Sequence, residues 1–259
     1  MKKKLLGYDI ISSDTDAVLD DIFFKLLRNP ASKKESTWLA CINPHSYAVA
    51  LDDLQFKIAL QNSHWLIPDG IGIVLASKLL GIKITGRITG CDIFYGLHHR
   101  MNKFGGMSVF FMGSSEGNLI NMKRRMAIDF PHIKIAGTYS PPYKTNYSQK
   151  ELSHMIQKVN DASPDVLWIG MTAPKQEKWI YQNKDLLKVK FIGAVGAVFD
   201  FYTGKVTRSP IFFQRLGLEW LPRLLKQPGR LWRRVFFSGP IFLWHVCIFM
   251  LLKKLSKKC

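Results

Sequence analysis

The stretch LIPDGIGIVLASKLLGIKITGRITGCD, residues 66–92, decides how this chain is read. It is entered through His64-Trp65-Leu66-Ile67, an apolar run of strand length. Pro68 ends the strand, Asp69-Gly70 turns it, and Gly72 permits a close backbone approach before Ile73 to Leu80 continues as a helix. Asp69 is therefore expected at the C-terminal tip of a strand, just before a helix N-terminus. In open α/β sheets ligands bind there. Arg87 and Asp92 follow in a second turn punctuated by glycine. Helix capping by Asp69 stands beside the chemical reading, because Asp is a favoured N-cap.

Working outward, strand–turn–helix units recur. Leu5 to Ser12 reads as a strand, and Ser13-Asp14-Thr15-Asp16 opens a helix with Val18, Leu19, Ile22 and Leu26 at helical spacing. Asp14-Thr15-Asp16 also fits a metal-holding DxD, but a helix cap explains it more simply. Trp38 to Asn43 is a second strand with Asn43 at its tip. His98-His99 sit about 100° apart on a helix and make a poor metal chelate. The strand Met107 to Met112 is turned by Gly113 and Ser114 into a helix whose first N–H groups suit a phosphate. Ile133 to Thr138 and Asp165 to Met171 are further strands. The last carries Gly170 near its tip, and Lys175, Gln176 and Glu177 open the next helix. GAVGAVFDFYTG (193–204) has no GxGxxG spacing, which excludes a dinucleotide site.

This alternation predicts an α/β fold, a mainly parallel Rossmann-like sheet with helices on both faces. We divide the chain into a core, residues 1–204, and a basic, aromatic, helical appendage, residues 205–259, expected to break at Gln227-Pro228-Gly229 and at Ser238-Gly239-Pro240. The chain carries a formal net charge of +18. The appendage holds twelve Lys/Arg against the single acid Glu219, a local excess of eleven charges. Such a segment seeks a polyanion, either an anionic membrane surface or nucleic acid. No nucleic-acid module is present, and the membrane is the expected partner. The apolar run Pro240 to Leu252 is shorter than a spanning helix needs, so an interfacial anchor is expected. The four cysteines are scattered and fit neither a zinc site nor a disulfide framework, in keeping with a reducing cytosol. The basic N-terminus has no sustained apolar run and is not read as a signal peptide.

Four motifs occur in order: PDGIGIVLASKLLG with GRITGCD, IGMTAPKQEKWI, GAVGAVFDFYTGKVTRSP and RLGLEWLPRLLKQPGRLWRR. Together they resemble the WecG/TagA/CpsF family of bacterial glycosyltransferases over about residues 5–235. The resemblance implies inverting transfer of a hexose from a UDP-sugar to a polyprenyl-diphosphate-linked saccharide, in cell-surface polysaccharide synthesis at the cytoplasmic face of the plasma membrane. It implies N-acetylmannosamine or its uronic acid as the sugar, with UDP-glucose the alternative. Asp69 matches the family's proposed base, and Arg87 and Asn43 match conserved positions. The segment Pro174 to Glu177 matches the family's PKQE, and Arg223, Arg230 and Arg233 match its C-terminal arginines. Two positions depart from the pattern: Cys41 stands where threonine is common, and Met171-Thr172-Ala173 where a Gly-Ser pair is.

The expected site follows from both readings. Asp69 and Arg87 carry the chemistry. Asn43, Gly70, Gly72, Asp92, Gly113, Ser114, Gly170, Lys175, Gln176 and Glu177 bind substrate. Arg215, Arg223, Arg230, Arg233 and Arg234 meet the lipid diphosphate and the membrane. No metal and no cofactor are expected, and the reading leaves room for a homo-oligomer. The rival classes are a basic nucleic-acid-binding protein and a nucleotide-sugar epimerase or dehydrogenase.

Overall fold

The computed structural model describes residues 1–28, 36–215, 218–226 and 228–255. It opens with an antiparallel hairpin, β1 (Lys2–Leu5) and β2 (Tyr8–Ile11). The sequence reading took this region as one strand from Leu5. The turn was hidden because Leu6 itself adopts a left-handed φ of 50° beside Gly7 at 86°. Helix α1 (Thr15–Arg28) follows, and the Asp14 side chain accepts from the Ala17 amide at 2.8 Å, so the DxD stretch is a helix cap. The order is then β3 (Thr37–Ile42), α2 (Pro44–Asp52), α3 (Leu54–Gln61), β4 (Trp65–Pro68), α4 (Ile71–Leu79), α5 (Gly90–Phe104) and β5 (Ser108–Gly113). Next come α6 (Glu116–Asp129), β6 (Lys134–Tyr139), α7 (Gln149–Ala162), β7 (Val166–Gly170), α8 (Lys175–Asn183), β8 (Phe191–Ala194) and α9 (Val198–Tyr202). Helices α10 (Ile211–Arg215), α11 (Trp220–Lys226), α12 (Pro228–Arg233) and α13 (Gly239–Leu255) complete the described chain.

Six strands form one parallel sheet in the order β4-β3-β8-β7-β5-β6. Side chains alternate across it. Trp38, Ala40, Leu167 and Ile169 face one layer, built from α2, α3, α4, α7, α8 and α13. Leu39, Val166, Trp168 and Phe111 face the other, built from α1, α5, α6 and α9. Burying one such large apolar side chain contributes roughly 1.5–3 kcal/mol, so these two layers hold the sheet. His98 is part of the second layer. It accepts from Trp168 Nε1 at 3.1 Å and stacks on Phe130, as a core histidine does. Gly193 of the GAVG motif lies under Trp168, where a Cβ would come within 2.2 Å of the indole ring. Packing, not phosphate binding, requires that glycine.

The C-terminal segment differs from expectation in one respect. Ser238-Gly239-Pro240 does not break the helix. A π-helical segment, Arg234–Ser238, joins α12 to α13, and the proline falls in the first turn of α13. Proline is tolerated in a first turn, and a π-bulge absorbs local misfit. The helical stretch Leu231–Leu255 is therefore continuous, 25 residues holding an 18-residue window of mean hydropathy 2.1, which is long and apolar enough to cross a membrane. Among the described residues the 13-residue apolar run is thus only part of a longer element.

Gly193→Ala should lower unfolding free energy by about 1–3 kcal/mol, the usual cost of overpacking a filled core. Urea denaturation at constant slope checks this. Unchanged stability would mean that the Trp168 ring is not seated as described.

Candidate functional site

All six parallel strands end on the same edge of the sheet. A cavity of about 1530 Å³ lies along that edge. Asn43 enters it from the tip of β3, Asp69 and Gly70 from β4, Gly113 and Ser114 from β5, Gly170 from β7 and Gly196 from β8. The tail closes it through Arg208, Glu219, Leu231 and Arg234.

At the β4 tip, the Asp69 amide donates to the Ile42 carbonyl at 2.8 Å, which pins the turn to β3. Gly70 takes a φ of 132°, a region that L side chains avoid, and a Cβ on Gly72 would come within 2.5 Å of Pro44. These two glycines let α4 start hard against α2. Gly70, not Asp69, is the N-cap of α4, and Asp69 stands one position before it at the strand tip. Asn43 does cap: its side chain accepts from the Ser46 amide at 2.9 Å, and Ser46 Oγ accepts from the Asn43 amide at 2.8 Å. Beside Asp69 lies Cys41, whose thiol is pushed well above its ordinary range by desolvation and by the charges of Asp69 and Glu177.

Arg87 reaches the cavity from the loop after α4, held by its neighbours. Its guanidinium donates to Glu219 at 3.1 Å and to the Gln214 carbonyl at 3.3 Å. Glu219 also accepts from Arg208 Nε at 3.1 Å. Burial alone would raise the Glu219 carboxyl, but the two arginines hold it below the usual range. This Arg87–Glu219–Arg208 cluster joins the tail to the core. Sequence reading missed Arg208 and Glu219, because a pairing across 132 residues leaves no local signature. The single acid of the basic tail was the available hint.

Helix α8 brings three expected residues. Lys175 sits 3.9 Å over the Tyr147 ring and donates to the Lys144 carbonyl. Gln176 and Glu177 are buried on the cavity floor. The Gly196 amide donates to Gln176 Oε1 at 3.2 Å, and Gln176 Nε2 donates to Glu177 Oε1 at 2.9 Å, which fixes the orientation of that amide. Burial pushes the Glu177 carboxyl up to about 7. Gly113 and Gly170 touch: a Cβ on Gly113 would come within 2.6 Å of the Gly170 carbonyl. Ser114 beside them is held by Ser140 and Asn118.

Other expected residues lie elsewhere. The Asp92 carboxylate accepts from the Thr89 amide and hydroxyl, both at 2.8 Å, closing the capping box of α5, and it does not line the cavity. Arg234 lines the cavity, whereas Arg233 lies against the Trp232 ring. Arg215, Arg223 and Arg230 fall on α10, α11 and α12, and their side chains lie outside the described residues.

This strand-tip cavity, with a carboxylate at its β4 edge and arginines among its lining, lies where open α/β sheets bind their ligands. The chain matches the Glycosyl transferase WecG/TagA/CpsF family over residues 4–257, and it belongs to that family of glycosyltransferases. It is similar to the N-acetylglucosaminyldiphosphoundecaprenol N-acetyl-beta-D-mannosaminyltransferase of Bacillus spizizenii (strain ATCC 23059 / NRRL B-14472 / W23). The two are 32% identical over 203 residues, 78% of this chain and 76% of that protein. The enzyme of the same name from Bacillus subtilis (strain 168) is 30% identical over 197 residues, 76% of this chain and 74% of that protein.

Glu177 makes stability depend on pH in a defined direction. Its folded value of about 7 lies above the ordinary 4.5, so between these values the folded chain keeps a proton that the unfolded chain has lost. Its contribution therefore falls as pH rises through that window, by on the order of 3 kcal/mol in total. Glu177→Gln removes this titration. The stability difference between variant and wild type should grow in the variant's favour from pH 4.5 to pH 8 in urea denaturation. A difference that does not change with pH would contradict the buried carboxyl.

Proposed function

We propose that this glycosyltransferase moves a hexose, of the N-acetylmannosamine type or its uronic acid, from a UDP-sugar to a polyprenyl-diphosphate-linked saccharide. The observation that carries the proposal is Asp69, which lines the cavity at the C-terminal tip of β4, in the same cavity as Arg87 and Arg208. The relatives' name supplies the acceptor class, an N-acetylglucosaminyl-diphosphoundecaprenol. In the proposed reaction the Asp69 carboxylate takes the proton of the acceptor hydroxyl. That oxygen attacks the anomeric carbon from the face opposite the nucleotide, which inverts the configuration. The bond from the anomeric carbon to the diphosphate oxygen breaks, and UDP leaves with the electron pair. Arg87 and Arg208 meet the charge that develops on the diphosphate, where guanidinium forks act through two-point contacts. Glu219 holds both in place until then.

The tail is given two jobs in this reading. Residues 205–234, with Arg215, Arg223, Arg230, Arg233 and Arg234, close the site over the lipid diphosphate. Residues from 240 onward hold the protein peripherally on the cytoplasmic face of the membrane. The apolar character of the helix Leu231–Leu255 supports the membrane contact. A hexose such as glucose on the same UDP carrier is the alternative donor. A panel of UDP-sugars with a short-chain lipid-diphosphate-GlcNAc acceptor, read by mass spectrometry, decides among them. Transfer from none of the panel would reject the donor class.

Asp69→Asn should leave the fold intact and lower turnover about 10²–10⁴-fold, the usual loss with a general base. Near-normal turnover by a folded variant would remove Asp69 from the mechanism. Turnover should also survive EDTA, since Asp14 caps α1 and Asp16 pairs with Arg100 at 3.1 Å, leaving the DxD stretch to structural work. Arrest by EDTA with rescue by magnesium would show that a cation takes part.

A further inference from the structure

We infer that α4 is a second membrane-contacting element: Leu75 and Leu79 enter the same anionic bilayer interface as the outer face of α13, which lies in the plane of that interface and does not cross it. The inference rests on the lipid-linked acceptor proposed above and adds a surface on the core itself.

The first observation is how α13 is held. His45 Nδ1 meets Ser238 Oγ at 2.8 Å, and Tyr47 Oη meets His245 Nδ1 at 3.2 Å. Tyr47 also packs edge-on against Phe242 at 5.3 Å between centroids. Phe242 and Val246 are buried in the core layer of α2 and α4. Near the far end, the Lys253 ammonium donates to the Leu80 carbonyl. These anchors run from residue 238 to 253, roughly 22 Å at 1.5 Å per residue. Length and composition would let this helix span a bilayer, but spanning would carry α2, α4 and their polar partners into hydrocarbon, where unsatisfied polar groups are costly. Docking along its length leaves the in-plane arrangement.

The second observation is the neighbour. A Cβ on Gly72 would lie 3.8 Å from the Phe242 ring, and one on Gly81 would lie 3.8 Å from Lys253 Nζ. So α4 and α13 run side by side in the same direction. Leu75 and Leu79 are one helical turn apart on α4 and 51% and 61% exposed. On α13, Leu243, Trp244, Leu251 and Leu252 are exposed as well. Lys78, Lys83, Lys253 and Lys254 are exposed around this apolar surface. Leucines ringed by lysines fit an anionic bilayer, which supplies both the apolar layer and the counter-charge. Helix α4 begins at Gly70 on the cavity rim. Seating it in the interface would fix the cavity at the height of a lipid-linked diphosphate.

The test uses the full chain and phosphatidylglycerol/phosphatidylcholine vesicles. Leu75→Gln/Leu79→Gln should bind them at least about tenfold more weakly, since two leucines leave the apolar layer. Its circular dichroism and its turnover of a water-soluble acceptor should match wild type. Phe249→Gln/Leu252→Gln on α13 serves as the comparison. If only the α13 variant loses binding, α4 is not a contact and the membrane reading stands. If neither loses binding, the membrane reading itself fails. Cys247 lies midway along α13 and is exposed, so it reports depth. A fluorophore there, in a Cys41→Ser/Cys259→Ser background, should be quenched best by lipids labelled near the headgroup. Strongest quenching by lipids labelled at the chain ends would overturn the in-plane arrangement.

Discussion

Everything at the site depends on one constraint of parallel sheets. Successive parallel strands need crossover connections, and these return each chain end to the same edge. Six strands in the order β4-β3-β8-β7-β5-β6 therefore deliver their tips to one cavity, although the residues involved run from Asn43 to Gly196. Backbone pairing then sets the relative positions. The Asp69 amide bonds to the last residue of β3, and the Ser114 amide bonds to Gly170 at the end of β7. The site is an edge of the sheet, and its rigidity is that of the sheet.

Charge is distributed around that edge in a way that suits a diphosphate. Two arginines, Arg87 from the core and Arg208 from the tail, share one carboxylate, Glu219. The cluster keeps one surplus positive charge at the cavity mouth. It also ties the tail to the core beside the site. On the floor, Glu177 and Gln176 form a buried polar chain to Gly196, and that burial pushes the Glu177 carboxyl up. A dry floor strengthens every electrostatic contact made above it.

Much of this was legible in the sequence. The Pro68-Asp69-Gly70 turn announced a strand tip, and the structure puts Asp69 there. Helix caps were readable from single residues, as at Asp14. Legibility failed where the deciding contact was remote or the backbone took an unusual path. Leu6 turns a hairpin with a positive φ that leucine rarely adopts, so nothing marked it. Asp92, next to a glycine turn, resembled a ligand-binding acid, yet Thr89 three residues earlier already claimed its carboxylate. Pro240 looked like a helix break because proline usually is one, and the π-helical segment before it removed the conflict. Arg208 and Glu219 carry no local motif and became visible only when the fold brought Arg87 and Arg208 together on Glu219.

The central claim is that sugar transfer occurs at the β4 tip, with Asp69 facing the reacting carbon and the diphosphate against Arg87 and Arg208. A crystal structure with a non-transferable UDP-sugar analogue tests it most directly. The account predicts the diphosphate within hydrogen-bond distance of both guanidiniums, with the side of the anomeric carbon remote from the nucleotide open toward Asp69. A nucleotide bound away from the strand tips, or a sugar turned so that Asp69 lies on the diphosphate side of the anomeric carbon, would contradict it.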